Sequence, residues 1–239
     1  MARLATKLSI IGLLLALLCC YGFMFLGGRV PAAGDGDIYT EDFEFGSDGD
    51  DLDTDAAWTD DATDKFEIDT ALAHAGSRSA LITLVSSGDN ECYSSFTEQT
   101  TKFTVEFWVY CDITAGVVAC YPIIISDGVF TLWDSWGVTD AMAIAIHTHN
   151  GQVYVWGGSE FDTNQSIADS TWTKIEIEMD DPNNQFSIWV GGVAGAENPY
   201  AYHTSNLSPD RINLTNYAST TPVVNISIDD IRIYAGARQ

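Results

Sequence analysis

The segment Met142–Gly157, MAIAIHTHNGQVYVWG, constrains the fold more than any other stretch of the chain. Asn150-Gly151 separates two apolar-alternating runs, and Asn-Gly most readily supplies positive φ at both positions of a two-residue hairpin turn. That turn sets His149 opposite Gln152, His147 opposite Tyr154, Ile146 opposite Val155 and Ala145 opposite Trp156. Side chains alternate between the faces of a strand. Ile144, Ile146, Val153 and Val155 therefore form a core face. The other face carries Ala143, Ala145, His147, His149, Gln152, Tyr154 and Trp156. A solvated strand face usually carries Lys, Glu or Thr; two aromatic rings, two imidazoles and small alanines make this one the expected ligand face.

The remainder also reads as strands. Phe66–Asp69 and Ala80–Val85 are short apolar stretches around the turn-like Ala75-Gly76-Ser77. In Phe103–Ile113 one face is Phe103, Val105, Phe107, Val109 and Cys111, the other Thr104, Glu106, Trp108 and Tyr110. Val117–Ser126 and Val129–Trp133 precede the hairpin. Trp172–Met179 turns Ile175, Ile177 and Met179 inward and Lys174, Glu176 and Glu178 outward. Asp180–Asn184 is a turn, and Phe186–Val190 returns with Trp189 facing out. Ser205–Thr221 reads as polar and turn-rich, and Val223–Tyr234 as the last strand. No helix-period run occurs outside the N-terminal leader. Many short strands with turns between them predict an all-β, two-sheet antiparallel β-sandwich.

Charge narrows the partners. The chain has 10 basic and 34 acidic residues, and no acid precedes Asp35. Seven basic and 34 acidic residues follow Gly34, a net of −27. Nucleic acid and anionic membrane surfaces both require positive charge, so neither is expected as a partner. The acidity fits solubility in a saline medium or bound cations. Asp48, Asp50, Asp51, Asp53 and Asp55 look like a calcium loop, but the glycine needed at the sixth position is Asp53, so a solvated loop is expected.

Lys7 and Arg29 bracket an uncharged run, Leu8–Gly28, long enough to cross a bilayer as one hydrophobic helix, for which about 20 residues are needed. Arg3 and Lys7 before it keep the N-terminus inside. Residues 1–33 are read as a signal-anchor, or as a signal peptide cut near Val30-Pro31-Ala32. Residues 34–38 are an acidic tether, and 39–239 form the folded domain. Either leader places that domain outside the cytoplasm, secreted or at the cell surface, with a membrane contact through residues 8–28 if uncleaved.

Three segments carry a family resemblance: TWTKIEIEMDDPNNQFSIWVGG (171–192), the terminal SIDDIRIY (227–234), and DFEFG (42–46) followed by HAGSRSALI (74–82). Together they resemble the concanavalin A-like jelly rolls, the laminin-G-like domains and related carbohydrate-binding modules, over about Tyr39–Tyr234. The resemblance implies two antiparallel sheets with ligands on a concave face or at edge loops. It also implies a structural Ca2+ tying the first strand to the last, with Glu44, Ser77 and Asp229 or Asp230 as ligands. Mixed carboxylate and carbonyl oxygens suit calcium. Without the metal, the same residues cap turns.

Sugar binding needs flat rings for the C–H face of the sugar and planar polar groups for its hydroxyls. Trp156 and Tyr154 supply rings; His147, Gln152 and Glu106 supply hydrogen bonds. The Phe103 strand repeats the composition with Glu106, Trp108 and Tyr110, and if the two strands share a sheet they make one platform. Packing under a loop is the alternative. Trp133, Trp136 and Tyr121 are second-choice contacts. His147 and His149 share a face, but two histidines are not a metal site.

An enzyme is not expected. The laminarinase-like branch carries Glu-x-Asp-x-x-Glu, which Glu176-Ile177-Glu178-Met179-Asp180 matches only in part, and alginate lyases of this fold carry Gln-x-His where this chain has Ala145-Ile146-His147. The expected function is an extracellular carbohydrate-binding or adhesion module. The alternatives are a structural surface or assembly subunit and a glycan-cleaving enzyme.

Cys92, Cys111 and Cys120 lie outside the leader. A two-residue turn at Ala115-Gly116 would set Cys111 opposite Cys120 within disulfide range. Cys92 pairing with either is the alternative, and buried free thiols the third. Asn164, Asn206, Asn213 and Asn225 begin N-x-S/T sequons.

Overall fold

The computed structural model describes residues 36–60, 65–86, 90–112, 119–128, 142–149, 151–156, 159–218 and 225–239. The leader (1–33), Val129–Trp133, Trp136 and the Ala115-Gly116 turn lie outside the described residues. Nor are the side chains of Tyr121, Ile144, His147 and His149 described. Among the described residues no helix is long and apolar enough to cross a membrane.

The described strands are, in chain order, β1 Asp37–Glu41, β2 Trp58–Asp60, β3 Phe66–Asp69, β4 Ser79–Thr83, β5 Val85–Ser86 and β6 Glu91–Ser95. Next come β7 Lys102–Cys111, β8 Ala119–Ser126, β9 Met142–His149, β10 Gln152–Trp156, β11 Glu160–Ser166 and β12 Thr173–Asp180. The chain ends with β13 Gln185–Val190, β14 Val193–Ala194, β15 Tyr200–Ala201, β16 Arg211–Thr215, β17 Tyr217–Ala218 and β18 Asn225–Ala235. They form two sheets packed as a sandwich. The first runs β14-β13-β12-β7-β18-β4-β3, with β1 on β18 and β15 on β13. The second runs β11-β10-β9-β8-β16-β6-β2, with β17 on β8 and β5. Pairing is antiparallel except between β5 and β17.

The alternation read from sequence is the packing. Phe103, Val105, Phe107 and Val109 of β7, Ile175, Ile177 and Met179 of β12, and Phe186 and Ile188 of β13 are all buried in one core with Val153 and Val155 of β10. The hairpin register holds at each expected pair: Gln152 with His149, Tyr154 with His147, Val155 with Ile146 and Trp156 with Ala145. Gly151 has φ +79, the left-handed backbone the turn required.

Several expectations are corrected. Ala143, assigned to the outward face, packs in the core, because the β8–β9 ladder slips by one residue between Ile125 and Ser126. The stretch read as turns after Ser205 contains β16, which lies between β6 and β8 and buries Ile212 and Leu214. Its polar letters misled: Asn213 is buried, its amide donating to Ile124 O and Ser126 Oγ at 3.0 Å each. β1 starts at Asp37, before the expected Tyr39.

The Cys111–Cys120 bridge is also overturned. β7 ends in the first sheet and β8 begins in the second, so Cys111 faces Ile226 across its ladder while Cys120 faces Thr148. Cys92 and Cys111 are buried, and neither is in a disulfide. Burial first, then the charges of Asp112 and Asp169, push the Cys111 thiol up to about 11. Only the thiolate is a nucleophile. Iodoacetamide at pH 8 is therefore expected to leave Cys111 unmodified in the native chain and to alkylate it in urea without any reductant. Labelling in urea that requires a reductant would restore the disulfide.

Candidate functional site

The two aromatic faces expected to merge do not. Glu106, Trp108 and Tyr110 lie on the outer face of the first sheet, whereas Gln152, Tyr154 and Trp156 lie on the second. The shared-sheet condition fails because β7 pairs with β12 and β18, strands distant in sequence. On the second sheet, Tyr154 stands between His147 and Asp162, Trp156 between Ala145 and Glu160, and the Gln152 amide donates to Asp162 Oδ1 at 2.7 Å. All three are half-buried. Burial, then Asp162 and Glu160, raises the Tyr154 hydroxyl above its usual range. Carboxylates beside both rings leave that face acidic.

A groove opens where the outer face of the first sheet meets β11 of the second and the loop that follows it. The groove, of about 590 Å³, is lined by Trp108, Trp172, Lys174, Glu176, Asn164 and Gln165, among others. That volume suits one or a few sugar rings. Lys174 sits across the ladder from Trp108, and Glu176 across from Glu106 on one side and Trp189 on the other. Beyond Lys174, β13 gives way to Gly191-Gly192, with φ +56 and +81. This is the positive-φ pair of a tight hairpin turn, and it joins β13 to β14. A Cβ at either glycine would meet nothing within 4 Å, so this side of the groove stays open.

Trp108 is held from behind. The His74 ring stacks on it at 3.7 Å and 15°, and meets Trp172 edge-on at 5.9 Å. Tyr110 packs on Trp172 at 5.7 Å. Trp172 Nε1 is buried and donates to no described acceptor.

Glu44, Ser77, Asp229 and Asp230, the residues assigned to calcium, converge on the loop that carries His74. Glu44 accepts from Ser77 N at 2.5 Å, Ser77 Oγ at 2.8 Å and Arg78 N at 3.0 Å. Asp229 Oδ2 accepts from the N–H groups of His74 and Ala75 at 2.8 and 3.2 Å, and Asp230 Oδ2 lies 2.6 Å from His74 Nδ1. These oxygens meet N–H donors, which a cation at the same oxygens would have to displace. Among the described residues no group of three His, Cys, Asp or Glu side chains is arranged to hold a metal ion. A bulge makes this arrangement. The β18–β7 register shifts between Asp229 and Arg232, and Asp230 takes φ +49. Its trace in the sequence is the spacing of Ile226, Ile228, Ile231 and Ile233, which lengthens by one residue between Ile228 and Ile231 while all four stay buried.

Ion pairs cover the rest of the face. Lys174 Nζ lies 2.8 Å from Glu106 and 3.4 Å from Glu176. Arg238 lies 2.9 Å from Glu176 and over the Trp189 ring. Arg232 lies 2.8 Å from Asp37 and 3.5 Å from Glu106. Burial alone would raise the Glu176 carboxyl, but the Arg238 hydrogen bond and the charges of Lys174 and Arg238 outweigh it and hold it below its ordinary value. Glu176 is thus an ionised acceptor at neutral pH.

No family model matches the chain, and no curated protein matches it in sequence. Solved structures do match, at identities that show the fold alone. A sialidase aligns with TM-score 0.57 and 9% identity over 83% of this chain, which spans only 18% of the sialidase chain. An endo-β-1,4-glucuronan lyase from the fungus Trichoderma reesei aligns with TM-score 0.56 and 10% identity, over 83% of this chain and 95% of the lyase. Domain 4 of an extracellular arabinanase from Geobacillus stearothermophilus, solved with arabinotriose, aligns with TM-score 0.50 and 15% identity, over 85% of this chain and 94% of that one. The chain thus has the β-sandwich jelly-roll architecture found in lectin-like and glycan-active proteins.

Proposed function

We propose that this domain is a glycan-binding module of the concanavalin A-like kind, carried outside the cytoplasm by its leader, and that the Trp108–Trp172 groove is its binding site. The observation that carries this reading is the groove itself: two indoles beside the side-chain amides of Asn164 and Gln165, in a volume suited to sugars. The arabinotriose held by the similarly folded arabinanase domain supports the same class of ligand.

Two observations favour this reading over its alternatives. A general acid must be protonated at working pH, and Glu176 is instead held ionised by Lys174 and Arg238, which supports binding over hydrolysis. A protein-contact face would be flat and apolar, yet among the described residues Val193 is the large apolar side chain that stands exposed.

A glycan array probed with the full chain tests the proposal. Trp172→Ala and Trp108→Ala are each expected to lower affinity about 30-fold, the roughly 2 kcal/mol of a buried aromatic anchor. Trp156→Ala on the opposite sheet should change it less than threefold. Asn164→Gly, at the exposed rim, removes the amide while tolerating the left-handed backbone at φ +55, and gives a variant with little folding risk and an expected loss of about fivefold. Well-folded chain that binds no glycan would end the proposal, and loss confined to Trp156→Ala would move the site to the second sheet. The array is run in calcium and in EGTA; a melting temperature that falls in EGTA would place a cation at Glu44 and Asp229.

A further inference from the structure

We propose that the groove selects uncharged glycans and rejects uronate- or sulfate-bearing chains; this rests on the glycan-binding reading above. Recognition of an anionic sugar needs a cation with donors to give, best an arginine fork. The cation lining the groove is Lys174, and its ammonium is already engaged by Glu106 at 2.8 Å and Glu176 at 3.4 Å. The neighbouring cations are engaged as well: Arg238 with Glu176 at 2.9 Å, and Arg232 with Asp37 at 2.8 Å and Glu106 at 3.5 Å. These three cations thus meet three carboxylates, Glu106, Glu176 and Asp37, and the Lys102 ammonium beyond them is likewise paired, with Glu178 at 2.7 Å.

A sugar carboxylate entering the groove would be a third carboxylate around the single positive charge of Lys174, which Glu106 and Glu176 already outnumber. It would also approach a segment that carries −27 beyond Gly34. The groups left to bind a ligand are neutral. They are the two indoles, the Asn164 and Gln165 amides and the Ser166 and Thr171 hydroxyls. Gln165 Nε2 donates to Ala194 O at 3.3 Å, which fixes the amide beside the groove. Such donors and acceptors complement sugar hydroxyls rather than carboxylates.

The test is calorimetric titration of the full chain with arabinan, xylan, mannan, galactan and β-glucan, and with polygalacturonate and glucuronan, at 20 mM and 1 M NaCl. A neutral glycan is expected to bind with an affinity that changes less than about twofold between the two salts. The polyuronates are expected to bind at least about a hundredfold more weakly at 20 mM. Glu106→Gln frees Lys174 from one carboxylate and should bring polyuronate affinity up about tenfold. Glu176→Gln provides a second route to the same release if the first variant is unstable. Polyuronate binding equal to or tighter than neutral binding at 20 mM overturns this inference and leaves the glycan-binding reading standing. Failure of folded chain to bind any of the seven polymers overturns both. Unchanged discrimination in both glutamine variants overturns the role given to Lys174.

Discussion

Gly76→Ala is expected to destabilise the domain by about 3 kcal/mol, lowering the melting temperature by roughly 10 °C. Gly76 has φ +65, and a Cβ there would collide with the Glu44 carboxylate. The left-handed conformation alone costs about 1–2 kcal/mol with a side chain. The collision adds more, because Glu44 cannot retreat without releasing the N–H groups of Ser77 and Arg78. Gly192→Ala is the control: φ is +81 there too, but nothing lies within 4 Å, so only the conformational cost of about 1 kcal/mol applies. In the double variant Glu44→Ala/Gly76→Ala the collision is gone, and the loss should be smaller than the two single losses combined. Equal losses in Gly76→Ala and Gly192→Ala would show that the Glu44 contact is not structural. The loop also carries His74, so the same substitution should weaken glycan binding through the ring that backs Trp108.

Stability should peak on the acid side of neutrality and fall by about 3 kcal/mol between pH 4.5 and pH 7.5. Burial, then the Asp230 charge, pushes the Asp229 carboxyl up to about 7 despite three N–H donors. An unfolded aspartate has its ordinary value near 4. Between those values the native state binds a proton that the unfolded state has released, so raising the pH favours unfolding, and the loss is complete above about 7. Burial raises Glu41 and Asp181 as well, with the same sign. Glu44, Glu176 and Asp180 are lowered, so their contributions are present above the unfolded carboxyl value and vanish as the pH drops through their native values. The two sets together place the maximum near pH 4.5–5.5. Urea denaturation at half-unit steps measures the curve. A stability that rises steadily to pH 8 would contradict the buried placement of Asp229.

How much of the fold and the groove is legible in the sequence differs from element to element. The hairpin at Asn150-Gly151, its register, and the inward faces of β7, β12 and β13 follow from a turn dipeptide and a period of two, which act over a few residues. Trp108, Glu106, Tyr154 and Trp156 stand off the core for the same reason. β16 was missed because its buried Asn213 satisfies its own polarity, and a buried polar residue with partners looks like a surface residue in one dimension.

The choice of sheet lies beyond local pattern. An alternating strand buries one face equally well in either layer of a sandwich, so nothing within FTVEFWVYC told that β7 joins β12 and β18 instead of the hairpin. That choice, made by long-range pairing, separates Cys111 from Cys120 and divides the expected platform. It also brings His74, Trp108, Trp172 and Lys174 around one groove. The sequence by itself determined strands, faces and one turn, because these depend on neighbours two to four residues away. The tertiary structure alone decided the groove and its ion-paired lysine, because their parts come from β7, β11, β12 and the β13–β14 turn, which only folding brings into contact.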